Sequence, residues 1–418
     1  MDPDALFEDV LGKYSRHLNP YLAKLQAFAG FGVETFAEGC YIHDHEGRKF
    51  LDCLGGYGTF AVGHRNPKVI EAVKNQLDQI ALSGKTFFTK PAADLAEKLA
   101  GIAPEGLEFC FFCNSGAEAV EAALKFAKGS TGRTKLISTI GSFHGKTLGA
   151  LSVTGREKYR KKFEPLIPGV VFVPFGDAAA AVKEIDDSTA AFIVEPIQGE
   201  GGIIVPPDGY LTEIRRACDK HGALLIADEV QTGLGRTGKM FAVEHDGVKP
   251  DLMTLAKSLG GGVIPLGCCM GTEAIWNEVY GQNPMAHTST FGGNALACAA
   301  GIAAIDFIQD ENLTERSQKM GDLMLEGMQK LQSRHSDMVG EVRGRGLMVG
   351  VEFSMDEVGE LTVAQMMKRG LCVAYALNNP RVLRFEPPLI ITEEEVHFAV
   401  DTLDAALVET KELLAAIA

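Results

Sequence analysis

The chain has 418 residues, of which 46% are hydrophobic and 23% charged, a composition sufficient for a globular protein with a large core. Its 40 basic and 55 acidic residues give a formal net charge of −15, which disfavours binding to nucleic acid or to an anionic membrane surface. The amino-terminal segment does not have the pattern of a secretory signal, and no window is apolar enough to span a bilayer, so we expect a cytoplasmic protein. Nine cysteines scattered through apolar strings indicate reduced core thiols in such a compartment.

The first 60 residues precede the main repeating pattern of the chain. They contain a helical segment and a hairpin-like string at 39–56, "GCYIHDHEGRKFLDCLGG". We therefore predict that residues 1–60 lie outside the main sheet and belong to a smaller domain.

Short apolar runs and amphipathic helical stretches alternate over residues 61–305. The runs are nearly continuous in hydrophobicity, as in parallel strands that are covered on both faces. Their alternation with helices predicts a large α/β domain. The predicted strands are 107–114, 134–140, 169–175, 190–196, 223–229 and 251–257, and the clearest helices are 116–130, 209–222 and 293–310.

The pattern changes after about residue 305. A charged amphipathic helix at 311–335 precedes short strands at 345–353 and 382–390, and a helix at 392–418 ends the chain. This order predicts that residues 306–418 form a smaller α+β domain.

In open α/β sheets, ligands bind beyond the carboxyl ends of the strands, so the residues that follow each strand are the candidates for a site. Ser115, Gly116 and Ala117 follow the first strand and open a helix. Free N–H groups and the positive end of the helix dipole suit an anion such as phosphate. The alternative is that Ser115 is only a helix N-cap.

Two further strands are followed by aromatic or acidic side chains. Phe143 and His144 offer a flat face that an aromatic ligand could stack on, although such residues are more often part of the core. Glu195 and Glu200 lie in a glycine-rich setting, where a carboxylate needs a cationic partner unless the segment is a surface loop.

Asp228 follows the five apolar residues of the strand at 223–229. A carboxylate at that position is costly unless it meets a cation, and the alternatives are an N-cap or a divalent-metal ligand. The sequence has no Asp-x-Asp or EF-hand spacing, and Cys110 and Cys113 have no second pair at zinc spacing, so we predict no metal site.

Lys257 ends the last predicted strand and leads into Gly260, Gly261 and Gly262. Partial desolvation favours its neutral amine, which forms Schiff bases with aldehydes, and the glycines would let the backbone pass close to a ligand. A structural salt bridge is the alternative. Together, a lysine of this kind, a buried aspartate, a phosphate-ready helix start and a stacking aromatic are what pyridoxal 5′-phosphate (PLP) requires.

From about residue 30 to 400, the chain resembles the class III (ornithine/ω-amino acid) aminotransferases of fold type I. Such a fold has a mainly parallel seven-stranded sheet flanked by helices and a smaller α+β domain. The strings that carry the resemblance are "FFCNSGAEAVEAALKFAK", "SFHGKTLGALS", "EPIQGEGG", "LLIADEVQTGLGRTGKMFA", "LAKSLGGG", "HTSTFGGN" and "RFEPPL".

The resemblance implies a role for each matching residue. Lys257 is expected to bond the cofactor aldehyde and to carry the proton, and Asp228 to pair with the ring nitrogen. Arg384 is expected to bind the carboxylate of 2-oxoglutarate or glutamate, and Glu200, the gate glutamate, to pair with Arg384 when the amine lacks that carboxylate. The other expected cofactor contacts are Val230 and Phe143 on the two ring faces, His144, Gln231 at the ring hydroxyl, Ser115, Gly116 and Ala117 at the phosphate, and Thr290 at the phosphate of the neighbouring subunit in a homodimer with shared active sites.

The strings "DCLGGYGTFAVGHRNP", "FFCNSGAE", "FHGKTLGALS", "PLIPGVVFVPFGD" and "ALNNPRVLRFEPPL" resemble those of the putrescine (diamine) aminotransferases. Where acetylornithine enzymes often have "FHGR", this chain has "FHGK" with Lys146, although Arg156 could still supply a carboxylate contact. We therefore expect transfer of the terminal amino group of a diamine such as putrescine to 2-oxoglutarate, giving 4-aminobutanal, which cyclises to 1-pyrroline, and glutamate.

Three alternatives to a diamine aminotransferase remain open from the sequence. One is the same chemistry on ornithine, acetylornithine or another ω-amino acid or aldehyde. A second is a PLP-dependent aminomutase. The third is a non-enzymatic NAD- or metal-binding protein, although the first strand is not followed by G-x-G-x-x-G.

Overall fold

The computed structural model describes residues 2–28 and 30–417, which contain three β-sheets and the helices that pack on them. The strands are β1 (Glu34–Glu38), β2 (Tyr41–Asp44), β3 (Lys49–Asp52), β4 (Phe109–Cys113), β5 (Lys135–Thr139), β6 (Val170–Val173), β7 (Thr189–Val194), β8 (Leu224–Asp228), β9 (Leu252–Leu255), β10 (Gly267–Gly271), β11 (Val339–Arg345), β12 (Met348–Phe353), β13 (Leu371–Cys372), β14 (Ala374–Tyr375) and β15 (Val382–Phe385).

The helices lie between these strands and at both ends of the chain. They are α1 (Pro3–His17), α2 (Pro20–Phe28), α3 (Gly55–Gly58), α4 (Pro67–Leu77), α5 (Lys90–Ile102), α6 (Gly116–Thr131), α7 (Leu148–Val153), α8 (Glu157–Arg160), α9 (Ala178–Glu184), α10 (Tyr210–His221), α11 (Glu273–Tyr280), α12 (Ala295–Asp310), α13 (Leu313–Arg334), α14 (Asp356–Lys368) and α15 (Glu393–Ile417). No helix within the described residues is long and apolar enough to cross a membrane.

The large sheet has seven strands in the order β4-β10-β9-β8-β7-β5-β6. Strands β9, β8, β7, β5 and β6 pair in parallel, whereas β10 runs antiparallel to both β4 and β9. All six predicted strands belong to this sheet, so the prediction of a mainly parallel seven-stranded sheet is confirmed. The sequence analysis did not identify β10 as a strand, because its string "GCCMG" is short and lacks β-branched residues.

Helices cover both faces of the large sheet, as the continuous apolar runs predict. Adjacent residues of β8 point to opposite sides: Ile226 packs in a cluster with α6, and Leu225 packs in a cluster with α10. Helix α6 begins where the Ser115 hydroxyl accepts from Glu118 N–H, and it ends at Gly132, which has a left-handed φ of 67°.

Two four-stranded sheets lie outside the large one. The first joins β1, β2 and β3 from the amino-terminal region to β13, with Leu51 paired to Leu371 in parallel. The second has the order β11-β12-β15-β14. The pairing of β3 with β13 joins residues 1–60 to a strand of the carboxy-terminal region. The division into residues 1–60, 61–305 and 306–418 stays a prediction.

Candidate active site

A cavity of about 630 Å³ lies at the edge of the large sheet where β7, β8 and β9 end. This is the position that an open parallel sheet predicts for a ligand. Nine of the predicted cofactor residues line the cavity: Ser115, Gly116, Ala117, Phe143, His144, Asp228, Val230, Gln231 and Lys257.

Lys257 lies just beyond β9 and begins a short 3₁₀ turn, Lys257–Gly260. Its φ of 47° is in the left-handed region, which is unusual for a residue with a side chain and is typical of functional sites. Burial lowers the pKa of the Lys257 amine, and the carboxylates of Glu386 and Glu200 partly oppose this effect. The neutral, nucleophilic form is therefore more accessible than for a lysine in water.

The sequence predicts that the glycines after Lys257 let the backbone pass close to a ligand. In the structure, Gly261 and Gly262 make room for neighbouring protein side chains. A Cβ on Gly261 would lie 2.8 Å from Val69 Cγ1, and a Cβ on Gly262 would lie 2.6 Å from Phe60 Cδ1. The glycines thus allow the turn to pack against protein side chains, and only Gly262 of the two also lines the cavity.

Asp228, at the carboxyl end of β8, is held in a buried hydrogen-bond network. Its Oδ1 accepts from Thr254 Oγ1 at 2.9 Å and from Val230 N–H at 3.2 Å, and its Oδ2 lies 2.6 Å from His144 Nδ1. The His144 side chain is therefore an orienting partner of Asp228, where the sequence analysis expected a flat stacking face. Among the described residues, His144 Nε2 has no hydrogen-bond partner although it is buried.

The start of α6 has both features that the sequence left as alternatives, a helix N-cap at Ser115 and free N–H groups that suit an anion. Ser115 is an N-cap, since its Oγ accepts from Glu118 N–H at 3.2 Å. Backbone bonding into the helix starts with Ala119 N–H, so the N–H groups of Gly116 and Ala117 lie ahead of it and face the cavity end of the helix. A Cβ on Gly116 would come within 2.9 Å of Val230 Cγ1, which explains the small residue at this position.

Glu195 has a role that the sequence analysis did not predict. It was expected to need a cationic partner, but its Oε2 accepts from Phe143 N–H at 2.9 Å and its Oε1 accepts from Gly199 N–H at 3.1 Å. Burial raises the pKa of this carboxyl to about 7. Glu195 thus fixes the loop of Phe143 and the loop that carries the gate glutamate, Glu200.

Arg384 and Glu200 form the predicted ion pair behind the cavity, with 3.1 Å between Arg384 Nη1 and Glu200 Oε1. The Arg384 side chain is buried, and Glu200 Oε2 accepts from Leu377 N–H at 2.8 Å. Arg384 Nη2 donates to Tyr375 O at 3.3 Å. Within the described residues, Arg384 Nε and Nη1 make no hydrogen bond of good geometry, so the guanidinium keeps donors for a further acceptor.

Tyr57 covers Arg384, and the sequence analysis did not single it out. The Arg384 Cζ lies 4.9 Å from the centre of the Tyr57 ring, a cation–π contact. Helix α3 is a single left-handed turn in which Tyr57 has a φ of 59° between glycines with similar values. The string "GGYG" is the signal for such a turn, because glycine adopts this conformation without a steric cost.

Gln231 faces a carboxylate that the sequence analysis did not assign. Its Nε2 donates to Glu386 Oε1 at 2.7 Å and to Glu386 Oε2 at 2.9 Å. Glu386 is fully buried, and its Oε2 lies 3.7 Å from Arg384 Nη1. Glu386 directly follows β15 and lies two residues after Arg384, and this spacing was the available clue that it lies near Arg384.

Three other predicted residues lie at the margin or outside the cavity. Lys146 lines it but is exposed, and its Nζ lies 5.0 Å from the centre of the Tyr159 ring. Arg156 is half-buried and is not among the lining residues of the described chain. Thr290 is exposed in the segment before α12 and does not line the cavity of its own chain.

The arrangement fits the functional groups of PLP. Asp228 presents a buried carboxylate for the ring nitrogen, the start of α6 presents N–H donors for the phosphate, and Lys257 presents an amine for the aldehyde. No group of three or more potential metal-ligating side chains was found in residues 2–28 and 30–417.

Comparison with known proteins gives the family. Aminotransferase class-III matches residues 31–407. An ornithine aminotransferase from Toxoplasma gondii is 33% identical, with a TM-score of 0.87 over 91% of this chain and 90% of that one. An acetylornithine aminotransferase from Elizabethkingia anophelis is 32% identical, with a TM-score of 0.80 over 93% and 99% of the two chains. An omega transaminase from Pseudomonas jessenii in complex with PMP is 28% identical, with a TM-score of 0.89 over 97% and 98%.

The family match covers most of the chain, and the cavity contains the groups that the cofactor of this family needs. The chain therefore belongs to the class-III aminotransferases, and it is a PLP-dependent aminotransferase of fold type I.

Proposed function

We propose that this enzyme moves the terminal amino group of a diamine such as putrescine to 2-oxoglutarate. The products are 4-aminobutanal, which cyclises to 1-pyrroline, and glutamate. The observation that carries the proposal is the charge distribution of the site. Arg384 is paired with Glu200, and the described residues that line the cavity include no arginine.

The cofactor residues have the roles that their positions support. PLP, when bound, supplies the electron-withdrawing ring that makes the substrate C–H bond acidic. Lys257 would supply the amine that holds the cofactor aldehyde and the group that moves a proton at the substrate carbon. Asp228 would accept from the ring N–H, and His144 orients Asp228 through the 2.6 Å contact.

The remaining contacts hold the ring and its substituents. Val230 and Phe143, which line the cavity, would pack against the ring, and Gln231, whose Nε2 donates to Glu386 in the structure, would bind at the ring hydroxyl. Ser115, Gly116 and Ala117 bind the phosphate at the start of α6, where N–H donors and the helix dipole favour an anion.

The diamine preference rests on the basic residues of the cavity. Ornithine and acetylornithine carry a carboxylate at the end remote from the transferred amine, and such a group favours a bidentate arginine partner. The basic side chains among the described lining residues are His144, Lys146 and Lys257, of which His144 is bonded to Asp228. Lys146 lies at the exposed margin and offers only a mobile point charge.

The acceptor preference rests on Arg384 and Glu200. Glu200 Oε1 lies 3.1 Å from Arg384 Nη1, and this pair would persist and neutralise Arg384 when a diamine is bound. With 2-oxoglutarate bound, the α-carboxylate replaces Glu200 and uses the free donors at Nε and Nη1. One site thereby accepts a cationic donor and a dianionic acceptor in turn.

A homodimer is part of the proposal, because the chain exposes large apolar side chains. Tyr21 is 82% exposed, Phe87 is 85% exposed and Phe291, next to Thr290, is 58% exposed. A second copy packed here would cover them and would allow Thr290 to reach the phosphate of its neighbour. A cytoplasmic location stays a prediction, with which the nine free cysteines are compatible.

A second candidate is an ornithine or acetylornithine aminotransferase, which the similarity to those two structures favours. The test is a donor screen of the purified holoenzyme with 2-oxoglutarate, using putrescine, cadaverine, ornithine, N-acetylornithine and 4-aminobutyrate. We expect kcat/KM to be at least about tenfold higher for the diamines, the size of one lost carboxylate contact. A higher value for ornithine or N-acetylornithine would establish the second candidate, and product formation without any 2-oxo acid would indicate an aminomutase.

A further inference from the structure

Glu386 is a buried carboxylate that the roles above leave unused. It contacts two residues of the proposed machinery, Gln231 through both oxygens and Arg384 Nη1 at 3.7 Å. The same Nη1 atom lies 3.1 Å from Glu200 Oε1. Arg384 is therefore shared between two carboxylates.

The two carboxylates differ in how firmly the backbone holds them. Glu386 N–H donates to Cys53 O at 2.7 Å, two prolines follow it, and a Cβ on Gly55 would lie 2.1 Å from Glu386 O. Glu200, in contrast, lies in a glycine-rich loop, and among the residues that the structure describes its side chain is held by Arg384 and Leu377 N–H alone. One carboxylate is fixed, and the other can turn away.

A buried guanidinium that loses its only counter-ion is strongly destabilised. Arg384 would meet this cost each time Glu200 left to admit a substrate carboxylate. Glu386 stays within 3.7 Å of Nη1 at that moment and continues to compensate the charge.

Other charged groups surround Glu386. Arg236 is buried nearby, and the Glu386 charge partly opposes the burial that lowers the pKa of Arg236 to about 10. The Glu386 charge is also the largest one that opposes the lowered pKa of Lys257. If Glu386 served Arg236 alone, its loss would leave ligand exchange at Arg384 unchanged.

We propose that Glu386 is the fixed counter-ion of Arg384, a positioning residue that keeps the guanidinium compensated while Glu200 exchanges with a substrate carboxylate. This inference rests on the proposed roles of Arg384 and Glu200. A substrate carboxylate that took the place of Glu200 would be repelled by Glu386 about as much as Glu200 is. Its removal should therefore change the rate of exchange much more than the equilibrium.

The test is Glu386→Gln, which keeps the size of the side chain and an acceptor for Gln231 but removes the charge. Glutarate, a dicarboxylate without a reactive carbonyl, is mixed with the holoenzyme in a stopped-flow instrument, and binding is followed by the visible absorbance of the bound cofactor. We expect the association and dissociation rate constants to fall together by about tenfold, while Kd changes by less than about threefold. Unchanged rate constants, or a tighter Kd at an unchanged association rate, would overturn the inference.

The matched control is Glu229→Gln, a buried carboxylate that is hydrogen-bonded to Thr232 and to Val243 N–H. It should exchange glutarate at the wild-type rate. Glu200→Gln alone, which keeps Glu386 beside Arg384, should exchange glutarate at least as fast as the wild type, because the gate side chain no longer carries a charge. Slow exchange in Glu200→Gln as well would overturn the inference.

If Glu386→Gln does not fold, Glu200→Gln alone decides the question by thermal unfolding. A fixed counter-ion at Glu386 predicts that Glu200→Gln keeps a Tm close to wild type, and a collapse of this variant as well would overturn the inference. Measurements on the wild type separate the failure of this inference from the failure of the proposed function. If glutarate does not bind saturably to the wild type, the proposed function is contradicted. If the wild type and Glu386→Gln exchange glutarate at the same rate, only the role of Glu386 is contradicted.

Discussion

The two halves of the active site are built in different ways. The cofactor half consists of Asp228 and Lys257 at the ends of the neighbouring parallel strands β8 and β9, where Glu229 N–H bonds to Thr254 O. The substrate half brings Glu200, Arg384 and Tyr57 together from a loop, a strand of a smaller sheet and a left-handed turn. A packed sheet holds the first half, and in the proposed function the contact between Glu200 and Arg384 in the second half is exchangeable.

This difference suggests a division of labour. Groups that must stay within hydrogen-bond distance of one cofactor gain from a packed sheet, since misplacement of a reacting group lowers the rate steeply. Groups that must accept two unlike substrates need a contact that can break, and the Glu200 loop supplies it. Substitutions in the first half should therefore affect both half-reactions, and substitutions in the second half should affect one.

Lys257→Ala should have the largest effect. The variant lacks both the amine that bonds the cofactor aldehyde and the group that carries the proton, so we expect both half-reactions to slow by about 10⁴-fold or more. Single-turnover measurements with each substrate check this, together with loss of the visible absorbance of the lysine-bound cofactor. The control is Lys249→Ala at an exposed surface lysine, and equal full activity in both variants would remove Lys257 from the mechanism.

Arg384→Lys should impair the half-reaction with 2-oxoglutarate and leave the half-reaction with the amine nearly unchanged. Lysine keeps the charge but loses the planar fork, so we expect KM for 2-oxoglutarate to rise by about tenfold to a hundredfold. The amine half-reaction should change by less than about threefold, because Glu200 can still pair with the lysine. An equal loss in both half-reactions would mean that Arg384 supports the cofactor half as well, and the comparison between the halves would fail.

Much of the cofactor half could be predicted from the sequence, and much of the substrate half could not. Asp228 and Lys257 each follow a continuous apolar run, and parallel strands bring such ends to one edge. The contact between His144 and Asp228 could not be derived, because it depends on a side-chain direction. The position of Tyr57 depends on a contact with Arg384, more than 300 residues later in the chain, and that of Glu386 on a contact with Gln231, 155 residues earlier. A single sequence has no periodic signal for such contacts.

Glu195 accepts hydrogen bonds from Phe143 N–H in one half of the site and from Gly199 N–H in the other. Its titration should make the stability of the protein depend on pH. Its pKa is raised from 4.5 to about 7 by burial, so the folded state holds a proton that the unfolded state has released between these pH values. Its contribution to the free energy of unfolding is therefore fully present below pH 4.5 and is lost as the pH rises to about 7.

Glu195→Gln removes this titration. We expect the difference in free energy of unfolding, wild type minus Glu195→Gln, to fall by about 3 kcal/mol from pH 4.5 to pH 7.5. Urea unfolding at a series of pH values measures it, and the hydrogen bond that the glutamine loses adds a constant offset. A difference that is independent of pH would show that the Glu195 pKa is not raised.

Lys146→Arg should have the smallest effect and tests the donor preference of the substrate half. An arginine at this margin would offer a bidentate partner to a remote carboxylate, which the described lining residues lack. We expect kcat/KM for N-acetylornithine to rise by about three- to tenfold, while the value for putrescine stays the same or falls slightly. Lys158→Arg, a second exposed lysine close to Tyr159, is the matched control and should leave the ratio unchanged. If both variants leave N-acetylornithine a poor donor, the margin at Lys146 does not contact the remote end of the substrate, and the diamine preference must arise deeper in the cavity.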